Sequence, residues 1–510
     1  MPRDGLGFSG YLQPPAVPPD PIDEDWRGEP GPPGPPGPAG PQGTPGDLGF
    51  VLAAGSTTPR SMPDRTAEHY SAKDFGVVCD GVTDDGAALN AALALIPIGT
   101  TLYIPGSIYT TQTIVVDAGR KLVMDGNTRV RPSVGSPLIE CTVKIIGAST
   151  LSPVVLCTGN ETQLTGVSIT RNGTPPAGAI GLQCLGEYMV FTHVYSYNHA
   201  RCIQVGGLRA APVNGRYSAI TTRFDHCVVW RCYEDYVYLI NAPETSFYDM
   251  RLGANGEFDP PGATSLVCID GDLLSQDAGT VNTVTFLRCQ FNPTATPLNS
   301  VRIIQYASLD GFFIFDDCYS GGAIQAFLYI DPNCTIVRNV NIIGCSIQPM
   351  QTTQTLVLDP GKRLAAFTMI GNHTSANSSV PGLSLSGVDA QIIGNRFGGA
   401  FICIMDAMTH GQFTSNTSSE IRFTGVYAGT QPFVVTGNTF ATIVQTATGL
   451  INYVEPSGGY EQQLTIGRAN AAGRISFRRG TDGVITSFVG IVSAAGGGVT
   501  ELANTGGTPI

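Results

Sequence analysis

The chain has 510 residues, 42% of them apolar and only 13% charged, with 63 glycines and 36 prolines; that is apolar material enough for a sizeable core, in a composition suited to strands and tight turns rather than helical bundles. Its 40 acidic against 28 basic residues give a net charge of −12, which opposes attraction to phosphate backbones and anionic lipid, so no nucleic-acid partner is expected. The longest apolar window, "AALNAALALIPI", is about half the ~20 residues a membrane span needs and contains Asn90 and Pro97, so no membrane insertion is expected either.

In chain order, residues 1–27 are Pro-rich and acidic and carry no apolar run after Arg3. They read as an extended segment rather than a secretory leader, and synthesis in the cytosol is expected. From 28 to 49 glycine recurs at 28, 31, 34, 37, 40, 43, 46 and 49, with proline in most of the intervening pairs. Only glycine fits the axis of three wound polyproline-type chains, so this period predicts a collagen-like segment and a homotrimer. A stiff polyproline linker on a monomer is the alternative. Residues 50–70 read as a linker.

The stretch "KDFGVVCDGVTDDGAALNAAL" crowds Asp74, Asp80, Asp84 and Asp85 ahead of a helical pattern. Thr83 is placed as the N-cap, with Asp84 and Asp85 in the first turn at the positive end of the helix dipole. Ala88, Leu89, Ala92 and Leu93 fall on one face, and Asp74 and Asp80 flank glycines in turn positions. These four carboxylates are therefore assigned to architecture.

Residues 100–455 alternate short apolar strands with Gly, Asn, Thr and Pro. Nine segments fit one template, anchored at Cys227, Met250, Cys289, Cys318, Cys345, Asn372, Asn395, Asn416 and Asn438, at spacings of 21 to 39 residues. Such a period marks a solenoid. An apolar residue stands three before each anchor, from Phe224 to Val435, and that column must face the core. The anchors read as a buried small-residue ladder. The column two before the anchor is mixed, with Asp225, Tyr248, Leu287, Asp316 and Ile343, as on an exposed face or one covered by a neighbouring subunit. Residues 456–510 change to short alternating strands with a hairpin signal at "GTDG" and read as a β-rich capping or trimerisation module.

The stretch from Asp74 resembles the "DFGAxGDGxTDDTxAIQxAI" motif that opens the solenoid of the pectate-lyase-like superfamily and of bacteriophage tailspikes, and the resemblance extends over about 71–450. It implies a mainly β fold, a right-handed parallel β-helix beginning at 71–99. It also implies a trimeric tailspike or tail fibre of the virion, attached to a tail or baseplate protein through the N-terminus, that binds and can depolymerise a bacterial surface polysaccharide. The alternative is a non-enzymatic structural or adhesive virion component that uses the β-helix as a shaft. The NTD and GHG signatures of polygalacturonases are missing; "FDDC" at 315–318 supplies only an acidic pair.

A glycan site combines carboxylates with flat rings. "VVWRCYEDYVYL" supplies Trp230, Tyr233, Tyr236 and Tyr238 as expected glycan-binding residues, and Glu234 and Asp235 as candidate acids. Asp249, Asp316 and Asp317 join them as catalytic candidates from outward columns of neighbouring coils, beside Asp225 and His226. Stacked strands put carboxylates roughly 5 to 10 Å apart, the range glycosidases use, so a groove across coils 227 to 318 is expected. No cofactor is expected. The thirteen cysteines, odd in number and without CxxC pairs, predict buried free thiols rather than a disulfide framework. Cys227, Cys232 and His226 make only a weak zinc set.

Overall fold

A computed structural model describes residues 69–491, interrupted by short segments of which the longest are 131–139, 254–262 and 272–280, with side chains described to residue 439. The chain divides into two units, Met1–Met62 and Pro63–Ile510. Segments 1–27 and 28–49, the "GTDG" turn and residues 492–510 lie outside the described residues.

The second unit is a parallel β-helix. A first sheet of 15 strands stacks from His69–Ser71 to Ile451–Val454, every neighbouring pair parallel. Two further parallel ladders complete each coil. The second sheet runs through Ser168–Arg171, Tyr195–His199, Val228–Cys232 and Arg251–Leu252, and the third through Arg201–Val205, Asp235–Ile240, Ser265–Asp270, Asn299–Ile304 and Ala326–Ile330. The two merge at Thr417–Thr424, and the third continues to Gln463–Ile466, past the boundary placed at 455. Beyond it, Ala472–Arg478 pairs antiparallel with Ile485–Ile491. No helix among the described residues is long and apolar enough to cross a membrane.

The inward column is what the template required. Phe191, Phe224, Phe247, Phe286 and Phe315 stack at centroid separations of 4.8, 5.2, 4.8 and 5.1 Å. Each ring contributes burial worth about 2 to 3 kcal/mol, and each stacked pair roughly 1 kcal/mol more. The anchors are buried, and from Asn372 onward they form an amide ladder. Asn395 Oδ1 accepts from the Asn372 amide N–H and Nδ2 at 2.9 Å each, and Asn395 Nδ2 donates to Asn416 Oδ1 and to Met369 O at 2.9 Å.

The opening aspartates organise turns, as expected, but not through the expected cap. The chain stays extended over Asp80–Asp84, pairing with Ser107–Thr110, and the helix is Gly86–Leu95 with Asp85 at its N-cap. Asp85 accepts the Val78 and Cys79 amides at 2.8 and 2.9 Å, closing the preceding loop instead of capping its own helix. Asp84 binds the Thr111 hydroxyl and amide, and Asp80 the Val82 and Thr83 amides. These bonds hold both carboxyls below their usual range, the Val82 amide acting most strongly on Asp80 and the Thr111 hydroxyl on Asp84. Leu89, Ala92 and Leu93 face the core, with Ala88 partly buried beside them.

One pair among the thirteen cysteines departs from expectation: Cys202 and Cys232 are disulfide-bonded, at a Cα separation of 6.1 Å. They lie at the ends of strands in adjoining sheets, 30 residues apart, a spacing that stacked coils bring into contact and that no short motif reveals. The other eleven cysteines are buried free thiols. Cys232 is thereby committed, Cys227 turns inward and His226 outward, so the weak zinc set is not assembled.

Between the second and third sheets lies a buried pair, Arg171 and His199. Arg171 Nε donates to His199 Nδ1 at 3.0 Å, and its other nitrogens donate to the Ser149 and Ile180 carbonyls. A Cβ on Gly181 would stand 2.5 Å from the His199 ring, so glycine is required there. Burial and, secondarily, the Arg171 charge push the imidazole pKa down to about 3. The unfolded chain, with an ordinary histidine near 6.5, then binds a proton that the fold rejects. Stability from this group is complete above about pH 6.5 and declines by up to about 1.4 kcal/mol per pH unit as pH falls toward 3. His199→Gln, which keeps an acceptor for Arg171, is expected to flatten the pH dependence of the urea midpoint between pH 6.5 and 4. An unchanged slope would exclude His199 as its source.

Candidate functional site

The five expected carboxylates form two separate groups. Asp249 and Asp317 occupy the turn after the first sheet, and Asp316 points outward at the end of that sheet. Glu234 and Asp235 lie at the entrance to the third sheet. Along each coil the second sheet stands between these two groups.

The turn group stands on a column of left-handed residues. His193, His226, Asp249, Arg288 and Asp317 have φ of 50–53°, where later coils place Gly344, Gly371 and Gly394. A non-glycine residue here costs roughly 1 to 2 kcal/mol. The side chains then interlock. Arg288 binds Asp249 through two bonds of 2.8 Å; Asp225 binds Arg223 at 2.9 Å and His226 Nδ1 at 2.6 Å; the His193 and His226 rings stack at 5.3 Å. Arg288 holds the Asp249 carboxyl below its usual range. For Asp225, burial pushes upward but is outweighed by Arg223 and His226, so its carboxyl is held low too. Both are paired anions at neutral pH and poor proton donors. Asp225, His226 and Asp249 bring ligand-type atoms within 4.8 Å of one another, yet two arginines already neutralise the carboxylates, and no metal is assigned to them.

The second group is built on adjacent third-sheet strands, with Tyr238, Asp270 and Arg302 on positions that alternate with the core residues Val237, Ile269 and Val301, and with Asp235 buried at the strand entrance. Asp235, 6% exposed, accepts hydrogen bonds from Thr264 Oγ1 at 2.7 Å and Ser265 Oγ at 2.5 Å. Burial raises its proton affinity above that of an ordinary aspartate, against the two hydroxyls and the more distant Arg201 and Arg302. Glu234 accepts the Gly178 amide at 2.7 Å and lies 3.5 Å from Arg201 Nε, with about a third of its side chain exposed. The Arg201 guanidinium covers the Tyr238 ring at 3.8 Å, and the Tyr238 hydroxyl donates to Asp270. Burial and Asp270 push the Tyr238 phenol up, so it remains a neutral donor. Arg302 reaches Asp331 at 3.7 Å. Asp270 and Asp331 share one column with Ile304 between them, placing their backbones roughly 10 Å apart.

The expected aromatic platform is divided. Tyr236 is fully buried in the core and Trp230 is 4% exposed, stacked on Tyr197 at 4.4 Å; neither presents a face to a sugar, because Tyr236 packs inside the solenoid and Trp230 is covered by Tyr195 and Tyr197. Tyr233 is half-buried at the turn, and Tyr238 is at the site but capped by Arg201. Arg201, Asp270, Arg302 and Asp331 escaped sequence reasoning. The available signal was a single charged residue within otherwise uncharged strands such as "SLVCID" and "NSVRII".

No protein-family model matches the sequence, and no curated protein matches it. Solved structures similar in three dimensions include a tailspike protein of Acinetobacter baumannii bacteriophage Fri1, a capsular polysaccharide depolymerase, at 13% identity, 74% coverage of this chain and 64% of that one, TM-score 0.45. A mutant tailspike of E. coli bacteriophage HK620 in complex with a hexasaccharide matches at 12% identity, with 84% of each chain covered and a TM-score of 0.47. The A-module of Azotobacter vinelandii mannuronan C-5 epimerase matches at 11% identity, covering 78% of this chain and 100% of that one, TM-score 0.38. The chain spans slightly less than two thirds of the first of these.

Proposed function

We propose that the chain is a receptor-binding tailspike of a bacteriophage virion, a trimer attached through its N-terminal segment to a tail or baseplate protein, which recognises and cleaves a bacterial surface polysaccharide. Three features support the reading: the "DFGVVCDGVTDDG" entrance to a parallel β-helix, the glycine period at 28–49, and the outward polar group on the third sheet. The observation that carries the chemistry is Asp235, a buried carboxyl of raised proton affinity next to Glu234.

In the proposed reaction Asp235 gives its proton to the glycosidic oxygen as the bond from that oxygen to C1 breaks. A water oxygen bonds to C1, and Glu234 takes the proton that water releases. Arg201, held between Glu234 and Tyr238, orients Glu234, while Asp270, Arg302 and Asp331 offer hydrogen bonds to sugar hydroxyls. The turn group, already paired internally, has no part in proton transfer.

The test is direct. Purified full-length protein is incubated with bacterial capsular polysaccharides and lipopolysaccharide O-chains, and retention on each glycan and release of reducing ends are both measured. Retention on at least one polymer with new reducing ends is expected. Retention without release would leave a binding spike and remove the hydrolase; neither retention nor release would favour the shaft reading.

A further inference from the structure

We infer that the Cys202–Cys232 disulfide is the brace that positions Arg201 against Glu234, so that cleavage at the third-sheet carboxyls depends on a bond outside the reacting groups. The role rests on the reaction proposed above and adds a positioning pair to it. Cys232 ends the strand Val228–Cys232, and only Tyr233 and Glu234 separate it from Asp235, where the third-sheet strand Asp235–Ile240 begins. Cys202 follows Arg201 at the start of the strand Arg201–Val205, one coil earlier. Both cysteines are buried, with Cα atoms 6.1 Å apart. The bond therefore ties the neighbour of Arg201 to the bend that carries Glu234.

What needs bracing is a loose contact. Arg201 Nε is buried and 3.5 Å from Glu234 Oε2, yet it closes no hydrogen bond there. Arg201 is otherwise held by the Tyr238 ring, 3.8 Å from its guanidinium carbon, and by Gln204 Oε1, which accepts from Nη1 at 3.3 Å. Glu234 is fixed at its other oxygen, where the Gly178 amide donates at 2.7 Å. Neither side chain is locked to the other, so their separation is set by the two backbones. Across the corner those backbones are joined by the Tyr233 and Glu234 amides, which donate to the His199 and Ala200 carbonyls at 3.0 and 2.9 Å, and by the disulfide. Only the disulfide is covalent. The same strand pair governs Asp235: Ile203 pairs with Val237, and Arg201 and Asp235 each stand two residues earlier. A misplacement of about 1 Å at reacting groups costs up to about 10²-fold in rate, so slack at this corner falls directly on the reaction.

The bond is tested first by counting thiols. Full-length protein alkylated with iodoacetamide in denaturant is expected to gain eleven carbamidomethyl groups without reductant and thirteen after reduction; thirteen in both overturns the inference. Cys202→Ala/Cys232→Ala is then compared with the unaltered protein on a polysaccharide that the latter cleaves. Retention and KM are expected to stay within about two-fold while kcat falls about ten-fold, less than the 10²- to 10⁴-fold for loss of a general acid. Arg201→Gln separates positioning from general support of the fold. It is expected to lower kcat about ten-fold in the disulfide-bonded chain and less than about two-fold in the double-alanine chain, because groups that act through one another are not additive. Losses that simply multiply, or an unchanged kcat without the bond, overturn the positioning role and leave the hydrolase reading standing. Loss of retention together with cleavage makes the disulfide a support of the fold and overturns the role as well. An unaltered protein that releases no reducing ends from any polymer overturns the hydrolase reading itself, and the brace with it.

Discussion

Replacing Asn395 by alanine is expected to cost on the order of 3 to 5 kcal/mol and to damage three coils rather than one. The amide makes every bond it can in a site closed to water. Its oxygen accepts from Asn372 twice, and its nitrogen donates to Asn416 Oδ1 and Met369 O. Alanine leaves the Asn372 amide N–H and the Met369 carbonyl buried without these partners, each worth about 1 to 3 kcal/mol, besides breaking the side-chain ladder. In a solenoid each coil touches only its neighbours, so the loss should appear locally. Hydrogen exchange is expected to accelerate at Met369–Asn372, Ile392–Asn395 and Phe413–Asn416, and to stay slow around Phe224 and Phe247. Asn395→Cys should cost less, because Cys345 already serves as an anchor, donating its thiol to the Phe315 and Ile343 carbonyls. Equal exchange in Asn395→Ala and the unaltered protein would mean that the ladder is incidental to stability.

The ladder was legible because its spacing within each coil is constant. The core residue stands three before the anchor and the left-handed turn residue one before it, whatever the length of the loops elsewhere. The third sheet has no such constancy. From anchor to third-sheet strand the distance is 8 residues for Cys227 to Asp235, 15 for Met250 to Ser265, 10 for Cys289 to Asn299 and 8 for Cys318 to Ala326. Columns of that sheet therefore could not be stacked by counting, and Asp270, Arg302 and Asp331 went unrecognised although Glu234, Asp235 and Tyr238 beside them were named. Trp230 misled for a related reason. Strand alternation turns it away from the solenoid interior, which resembles exposure, yet Tyr195 and Tyr197 cover it. Turn chemistry for Asp80 and cap chemistry for Asp84 and Asp85 point to an architectural role, and these three carboxylates do close loops and turns, though not through the Thr83 cap. Which amide each would bind depends on where the chain stops being extended, and that is set by pairing with Ser107–Thr110 some 25 residues later.

Asp235→Asn is expected to abolish polysaccharide cleavage while leaving the fold intact, a loss of about 10²- to 10⁴-fold, the range for removing a general acid. The amide keeps the shape and can still accept the Thr264 and Ser265 hydroxyls, so retention on the glycan should persist. Stability supplies a second readout with a definite sign. Burial raises the Asp235 pKa in the fold, so between the unfolded value near 3.9 and the raised value the native state holds the proton more tightly, and stability falls as pH rises through that window. Removing the charge removes the penalty: Asp235→Asn should be at least as stable as the unaltered protein at pH 7 and less sensitive to pH just above 4. Asp249→Asn should behave oppositely. Arg288 lowers its carboxyl, so the stability it contributes is present at neutral pH and lost as pH falls through the lowered value, and the variant should be weaker at pH 7 with cleavage retained. If Asp249→Asn stopped cleavage and Asp235→Asn did not, the reacting bond would lie at the turn ladder and the third-sheet group would be a binding surface.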